Sequence, residues 1–248
     1  MLQAYFRNLY NRTMREAYRT ATDEIVASIR DGGPVLDCGA NNGQLFNRLS
    51  AIAPLTPERY FGVEWDAVRA GLGRQRGLQI ACADLNRGIP HADDTFSCVF
   101  GLSVLEHLLN GCRFLRDSHR VLQPGGKLVI LTPNISTYFT AALILAGKMP
   151  SSGPHPDSDA LIRREEVLKV SHQDLHTDAE RDTPVHRHLV VFSYRVLRDY
   201  LHMIGYTDVR GYGFGLYPFP NFMQPVLEKI DPWHCHQMVF IARKPGAA

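Results

Sequence analysis

Nowhere in the chain do five basic residues stand in a row, and 27 lysines and arginines against 25 acidic residues leave a formal charge of only +2. Nucleic-acid binders that track phosphates carry a basic stripe, so this balance speaks against that class. Long apolar runs are missing too. The longest, Tyr138 to Gly147, is about half the length that an α-helical membrane span needs. Arg7, Arg12 and Arg15 fall early, where a secretory peptide needs an uninterrupted apolar stretch, and the reading is a cytoplasmic protein. The five cysteines (Cys38, Cys82, Cys98, Cys112, Cys235) are odd in number and form no CxxC pair, which excludes a disulfide frame and leaves small, reduced, mostly core residues.

What is present is an ordinary globular balance, 45% hydrophobic and 21% charged, over 248 residues, enough for one sizeable domain rather than two. The near-zero charge hides an uneven distribution. Residues 1–20 carry four arginines against Glu16, a net +3, and residues 151–185 carry four basic against eight acidic residues, a net −4. Short apolar or β-branched runs alternate with helical patterns, the signature of an α/β fold on a mainly parallel sheet. Strands are predicted at Val35–Cys38, Tyr60–Glu64, Leu78–Ala83, Ser97–Leu102 and Lys127–Leu131. Leu105–Leu122 reads as helical on either side of a break at Gly111, and the Gln123–Gly126 turn stops it.

The residues before Val35 read as one or two helices with Ile25 and Ile29 buried, a helical lid over residues 1–33. Past Asn134 the alternation lapses until His188, longer than a simple connection, so residues 135–188 read as an insertion of the kind that usually carries function. Regular structure resumes at Leu189–Phe192, with Ser193 as N-cap of a helix that Gly205 ends. Two closing strands follow, Thr207–Tyr212 and His236–Arg243. The whole is one domain, with a core at 34–134 and the closing elements at 189–248.

The sharpest local feature is VLDCGANNGQL, Val35 to Leu45: a buried strand, a tight turn with Gly39 and Gly43, then a helix. Glycines there permit positive φ and a close approach of ligand to backbone, and the helix start supplies free amide N–H groups. Asp37, near the end of an apolar strand, would be costly to bury without a partner, so the turn reads as a ligand cradle. The dinucleotide fingerprint would place glycines at 39, 41 and 44, but the residues are Gly39, Asn41 and Gln44, which leaves a nicotinamide-dependent oxidoreductase a poor match.

The spacing instead resembles the first motif of the class I S-adenosylmethionine-dependent methyltransferases, Asp/Glu-x-Gly-x-Gly-x-Gly, matched by Asp37, Gly39 and Gly43, with Asn41 in place of the middle glycine. Asn tolerates a left-handed backbone. The order of later landmarks is similar too: YFGVEWD with Glu64, CADL with Asp84, FSCVFGLSVLEHL with Ser97 where Asp is common, and RVLQPGGKLVILTPN before the fifth strand. HLVVFS and the closing Arg243-Lys244-Pro245 extend the likeness, which is strongest to small-molecule and glycan methyltransferases with a core like that of ubiquinone-biosynthesis enzymes.

That resemblance implies a Rossmann-like, doubly wound seven-stranded sheet, mostly parallel with an antiparallel last strand and helices on both faces. It implies S-adenosylmethionine as cofactor and S-adenosylhomocysteine as product. Asp37 and the turn of Gly39, Ala40, Asn41 and Gly43 would hold the methionine end. Glu64, with Trp65 beside it, would take the ribose hydroxyls, and Asp84 and Leu85 the adenine. Leu102 and Ser103 would pass the sulfonium. The acceptor implied is a hydroxyl of a small molecule or glycan precursor. A cofactor-binding scaffold without catalysis is the alternative.

Two histidines are candidates for taking up the acceptor's proton. His107 follows strand four and faces the cleft, and His188 opens the HLVVFS segment; each could instead simply cap or pack its own element. No metal is assigned: the cluster His186, Arg187 and His188 and the pair His234 and His236 could in principle hold one, and His172 and His176 stand four apart, but HQDLH lacks the glutamate of H-E-x-x-H and no cysteine pair flanks it.

Overall fold

The structure, a computed structural model, describes residues 2–150, 152–165, 177–178, 182–184 and 186–246. Five strands come first: β1 (Val35–Cys38), β2 (Tyr60–Glu64), β3 (Gln79–Cys82), β4 (Phe96–Leu102) and β5 (Leu122–Pro133). With β6 (Thr207–Phe214) and β7 (Gln237–Arg243) they form one seven-stranded sheet in the order β3-β2-β1-β4-β5-β7-β6. The first five pair in parallel, and β7 lies antiparallel to both β5 and β6. This is the expected sheet.

Its strands are apolar on both faces because both are covered. Along β5, Leu128 and Ile130 enter one cluster with Phe96, Phe114, Leu197 and Leu201, while Val129 and Leu131 enter the opposite one with Ala21, Ile25 and Val239. The first face carries α4 (Gly111–Val121) and α7 (Tyr194–Ile204). The second carries α1 (Leu2–Asp31) with α2 (Gln44–Ser50) and α3 (Ala67–Gln75). Three short helices, α5 (Tyr138–Leu145), α6 (Asp159–Glu165) and α8 (Gln224–Ile230), sit in the long connections.

Several boundaries differ from the sequence reading, each for a physical reason. The N-terminal segment is a single helix whose Ala17, Ala21, Ile25 and Ile29 lie fully buried on the sheet. Leu105–Leu122 does break before Gly111, where a Cβ would come within 2.8 Å of Leu105, but its first part is a 3₁₀ turn at Leu105–His107 and only α4 is a regular helix. Strand β5 starts five residues early, since Leu122 pairs with Phe96 across an irregularity. Leu189 and Val190 form no strand; their amides donate to the Glu106 carbonyl, at 2.7 and 3.4 Å. Gly205 does end α7 in the left-handed conformation, at φ 104°. His172 and His176 lie outside the described residues.

Candidate active site

At the end of β1 the backbone makes the turn that the sequence implied. Gly39, Asn41 and Gly43 all have positive φ, at 83°, 50° and 79°. Asn41 thus adopts the left-handed conformation without being glycine, steadied by its own Oδ1, which accepts from the Asn42 N–H at 2.8 Å. The turn is tight: a Cβ on Gly39 would lie 2.6 Å from Val104, and one on Gly43 would run into Leu78. The N–H groups of Gly39 and Ala40 both donate to the Val63 carbonyl, at 2.8 and 3.1 Å, which pins the cradle to β2.

Two carboxylates beneath the turn are buried. Asp37 is 4% exposed and accepts a short hydrogen bond from the Tyr60 hydroxyl. Burial pushes its carboxyl up to about 7, against the Tyr60 bond, which holds it down, and with the nearby Glu64 pushing the same way as burial. Glu64 accepts the Asn41 N–H on Oε2 at 2.9 Å and the Asp66 N–H on Oε1 at 3.0 Å. A carboxylate offers about four lone-pair sites, so each Glu64 oxygen keeps acceptor capacity.

Farther along the sheet edge, Asp84 is about half exposed; its Oδ1 accepts from the Asn86 backbone and side-chain N–H groups at 2.9 and 3.0 Å. Trp65 and Asp84 line an open cleft of about 760 Å³ with Arg87, Arg113, Asp117 and Arg120. Asp37, Gly39 and Glu64 are not part of that cleft's wall. Leu85 is buried, and Leu102 is half-buried at the end of β4. Ser103 follows with φ 57°, its hydroxyl 3.3 Å from the Tyr18 hydroxyl of α1. Burial raises the Tyr18 phenol above its ordinary range.

Beyond Ser103 the 3₁₀ turn presents Glu106 and His107. Glu106 is 2% exposed and accepts from the Thr132 hydroxyl at 2.9 Å. Because its carbonyl grips Leu189 and Val190, the chain returning from the insertion is drawn alongside, and His188 comes to rest with its ring centroid 5.2 Å from that of His107. The two histidines singled out from the sequence therefore meet, although 81 residues separate them. His107 Nδ1 lies 3.1 Å from the Arg187 carbonyl and His188 Nδ1 lies against the Ser152 carbonyl. A carbonyl only accepts, so in each neutral ring Nδ1 bears the hydrogen and Nε2 the lone pair. Burial lowers His188 to about 4, outweighing the nearby Glu106.

Glu106, His155 and Tyr18 were missed as site residues. His155 stacks on His188 at 4.8 Å, and its Nδ1 accepts the His188 N–H at 3.2 Å. Glu106 was legible in the Leu-Glu-His segment; His155 had no local signal. Of the remaining histidines, His234 is held by Asp231 at 2.8 Å, and His236 stacks on Tyr217 at 5.0 Å.

Strand order, glycine turn and buried acids together define a Rossmann-like fold of the methyltransferase type. A family model described as "Methyltransferase domain" matches residues 10–210, and the chain belongs to that family. A curated relative from Mycolicibacterium smegmatis, named "Probable S-adenosylmethionine-dependent methyltransferase", is 28% identical over 111 residues, covering 43% of this chain and 40% of the relative. A ubiquinone/menaquinone biosynthesis C-methyltransferase from Geotalea daltonii is 27% identical over 110 residues, 40% of this chain and 45% of its own. The chain spans less than half the length of these curated relatives. Among solved structures, an S-adenosylmethionine-dependent methyltransferase from Mesorhizobium loti superposes with a TM-score of 0.57 at 15% identity, over 92% of this chain and 97% of that one. A Haemonchus contortus phosphoethanolamine N-methyltransferase with bound S-adenosylmethionine gives 0.53 at 14%, over 86% and 49%.

Proposed function

We propose that the protein transfers a methyl group from S-adenosylmethionine to a hydroxyl oxygen of a small molecule or glycan precursor. The observation that carries this reading is Glu64: buried, oriented by two backbone N–H groups, one of them from the glycine turn itself, and still able to accept from two vicinal hydroxyls. Asp37 and the turn from Gly39 to Gly43, Ala40 and Asn41 included, would hold the methionine end, Trp65 would flank the ribose, and Asp84 with Leu85 would meet the adenine. Leu102 and Ser103 would pass the sulfonium, with Tyr18 closing over them from α1. The N-terminal helix and residues 135–188 then bound the acceptor's side as lid and cap. The cytoplasm, where reduced cysteines persist, is the compartment that suits this reading.

In the reaction the acceptor oxygen attacks the methyl carbon in line with the sulfur. A C–O bond forms, the C–S bond breaks, and its electron pair stays on sulfur, giving neutral S-adenosylhomocysteine. The donor is already activated, so the protein's task is alignment and removal of the hydroxyl proton. His107 and His188 favour oxygen as acceptor, since a neutral imidazole lone pair beside the reacting atom takes that proton. Of the related proteins named above, the Geotalea daltonii one is a C-methyltransferase and the Haemonchus contortus one an N-methyltransferase, so fold alone does not choose.

Titration calorimetry with S-adenosylhomocysteine tests the cofactor half: Glu64→Ala should weaken binding by about 1.5–3 kcal/mol, and unchanged affinity would overturn the assignment. Radiolabelled methyl transfer into a metabolite extract tests the other half. Tight cofactor binding with no transfer to any acceptor would mark a non-catalytic scaffold instead.

A further inference from the structure

We propose that Glu106, His107 and His188 form a binding site for one divalent first-row transition-metal cation, zinc foremost. One ligand atom from each of the three lies within 4.8 Å of the others. More telling is how each is held from behind. The Nδ1 atoms of His107 and His188 face the carbonyls of Arg187 and Ser152, which fixes Nε2 of both rings as the lone-pair nitrogen. Thr132 donates to Glu106 Oε2 at 2.9 Å, which orients the carboxylate. Metal-binding histidines characteristically pass their other nitrogen to a carbonyl or carboxylate, and ligating carboxylates are themselves hydrogen-bonded. All three residues meet that description at once.

The neighbouring ring does not. His155 Nδ1 accepts the His188 N–H at 3.2 Å, so in the neutral ring its hydrogen is on Nε2 and no lone pair points outward. It stacks on His188 at 4.8 Å and supports that ring's orientation. Among the described residues the ligand set is therefore three, two imidazoles and one carboxylate. That donor set suits zinc and its first-row neighbours rather than magnesium or calcium, which prefer oxygen alone. Bonds of about 2.1 Å in a tetrahedron put ligands about 3.4 Å apart, so the trio must draw in by roughly an ångström, within reach of small side-chain rotations. Three protein ligands leave a position open. With the cation in place, both Nε2 lone pairs are committed to it, so the histidines would act on the acceptor through the cation and would be its bases only in the metal-free protein; the hydroxyl would sit at the open position, made more acidic there, and lose its proton to solvent.

The site stands on these atoms and not on methyl transfer, so the two readings fail separately. The full chain, stripped with a chelator and dialysed, is titrated with Co²⁺ while its visible absorption is recorded, and Zn²⁺ is then added to compete. The expected result is one cation per chain, displaced by zinc, with affinity at least tenfold lower in His107→Ala, His188→Ala and Glu106→Gln. S-adenosylhomocysteine affinity, measured on the same samples, should stay within about twofold in His188→Ala, which shows that the variant is folded; His188→Gln replaces it if it is not. Absence of saturable binding overturns the site. So does binding that survives all three substitutions, which would place the cation elsewhere, for instance at the exposed Cys82. Loss of S-adenosylhomocysteine binding by the unaltered chain would overturn the cofactor reading and leave the cation result standing.

Discussion

At Asp37, burial and the charge of Glu64 both raise the carboxyl, against the hydrogen bond from the Tyr60 hydroxyl. A carboxyl whose folded value is raised to about 7 binds a proton more tightly than the unfolded chain does. Nothing is lost below about pH 4, where both states are protonated; folded stability then falls as pH rises toward 7 and levels off above it. Asp37→Asn, which keeps an acceptor for the Tyr60 hydroxyl, should therefore raise the denaturation midpoint at pH 7.5 while leaving it nearly unchanged at pH 4. With Asp37 at the methionine end, as proposed, cofactor binding would run the other way, because a cationic methionine amine favours the ionised acid. S-adenosylhomocysteine affinity is expected to increase from pH 5.5 to 7.5 in the natural protein and to be flat in Asp37→Asn; equal slopes in calorimetry would remove Asp37 from the methionine end. Gly43 is a simpler case. Its φ of 79° and its contact with Leu78 leave no room for a side chain, so Gly43→Ala should cost about 1–3 kcal/mol in urea denaturation.

At the scale of elements, α1 couples the sheet to the site. Its C-terminal half packs Ala17, Ala21 and Ile25 flat against the sheet, where small residues let the helix come close. Its N-terminal half reaches outward, with Phe6 against Tyr217 and Phe139, and near its middle Tyr18 lies against Ser103. Arg12 locks this half to α8 through two bonds to Glu228, at 2.6 and 3.1 Å, and Glu228 also accepts the Gly215 N–H at 2.7 Å. With only 10% of the Glu228 side chain exposed, removing its partner leaves a largely desolvated charge. Arg12→Ala should lower stability by up to about 3 kcal/mol in chemical denaturation, a loss that Glu228→Gln in the same chain would partly restore. The basic leader thus has at least one arginine committed to internal structure.

For the whole molecule, the sheet's two covered faces fix the frame, and a few polar hubs fix the parts that approach its carboxyl end. Asn134 is fully buried, donates to the Trp233 and Cys235 carbonyls at 2.8 Å, and accepts from Ser136 and Tyr194. It ties the end of β5, the start of α7 and the turn before β7 into one unit. No helix among the described residues is long and apolar enough to cross a membrane. A ligand that binds only the folded form should stabilise the entire unit: S-adenosylhomocysteine at a hundred times its Kd is expected to add about 2.7 kcal/mol, seen as a raised melting temperature, whereas NAD at the same concentration should not shift it. The reverse pattern would return the fold to dinucleotide chemistry.

Local chemistry decided whatever the sequence could show by itself. Strand runs buried on both faces, the turn from Gly39 to Gly43 and the acids at strand ends all carry their signal within a few residues, and the sheet order follows from that pattern through the resemblance. Gln123–Gly126 and Leu105–Leu122 were less legible, because pairing of Leu122 with Phe96 and packing at Gly111 involve distant partners. The meeting of His107, His188, His155 and Glu106 belongs wholly to tertiary structure. It depends on the Glu106 carbonyl capturing Leu189, a backbone hydrogen bond to a segment more than eighty residues away, and no spacing along the chain encodes such a bond.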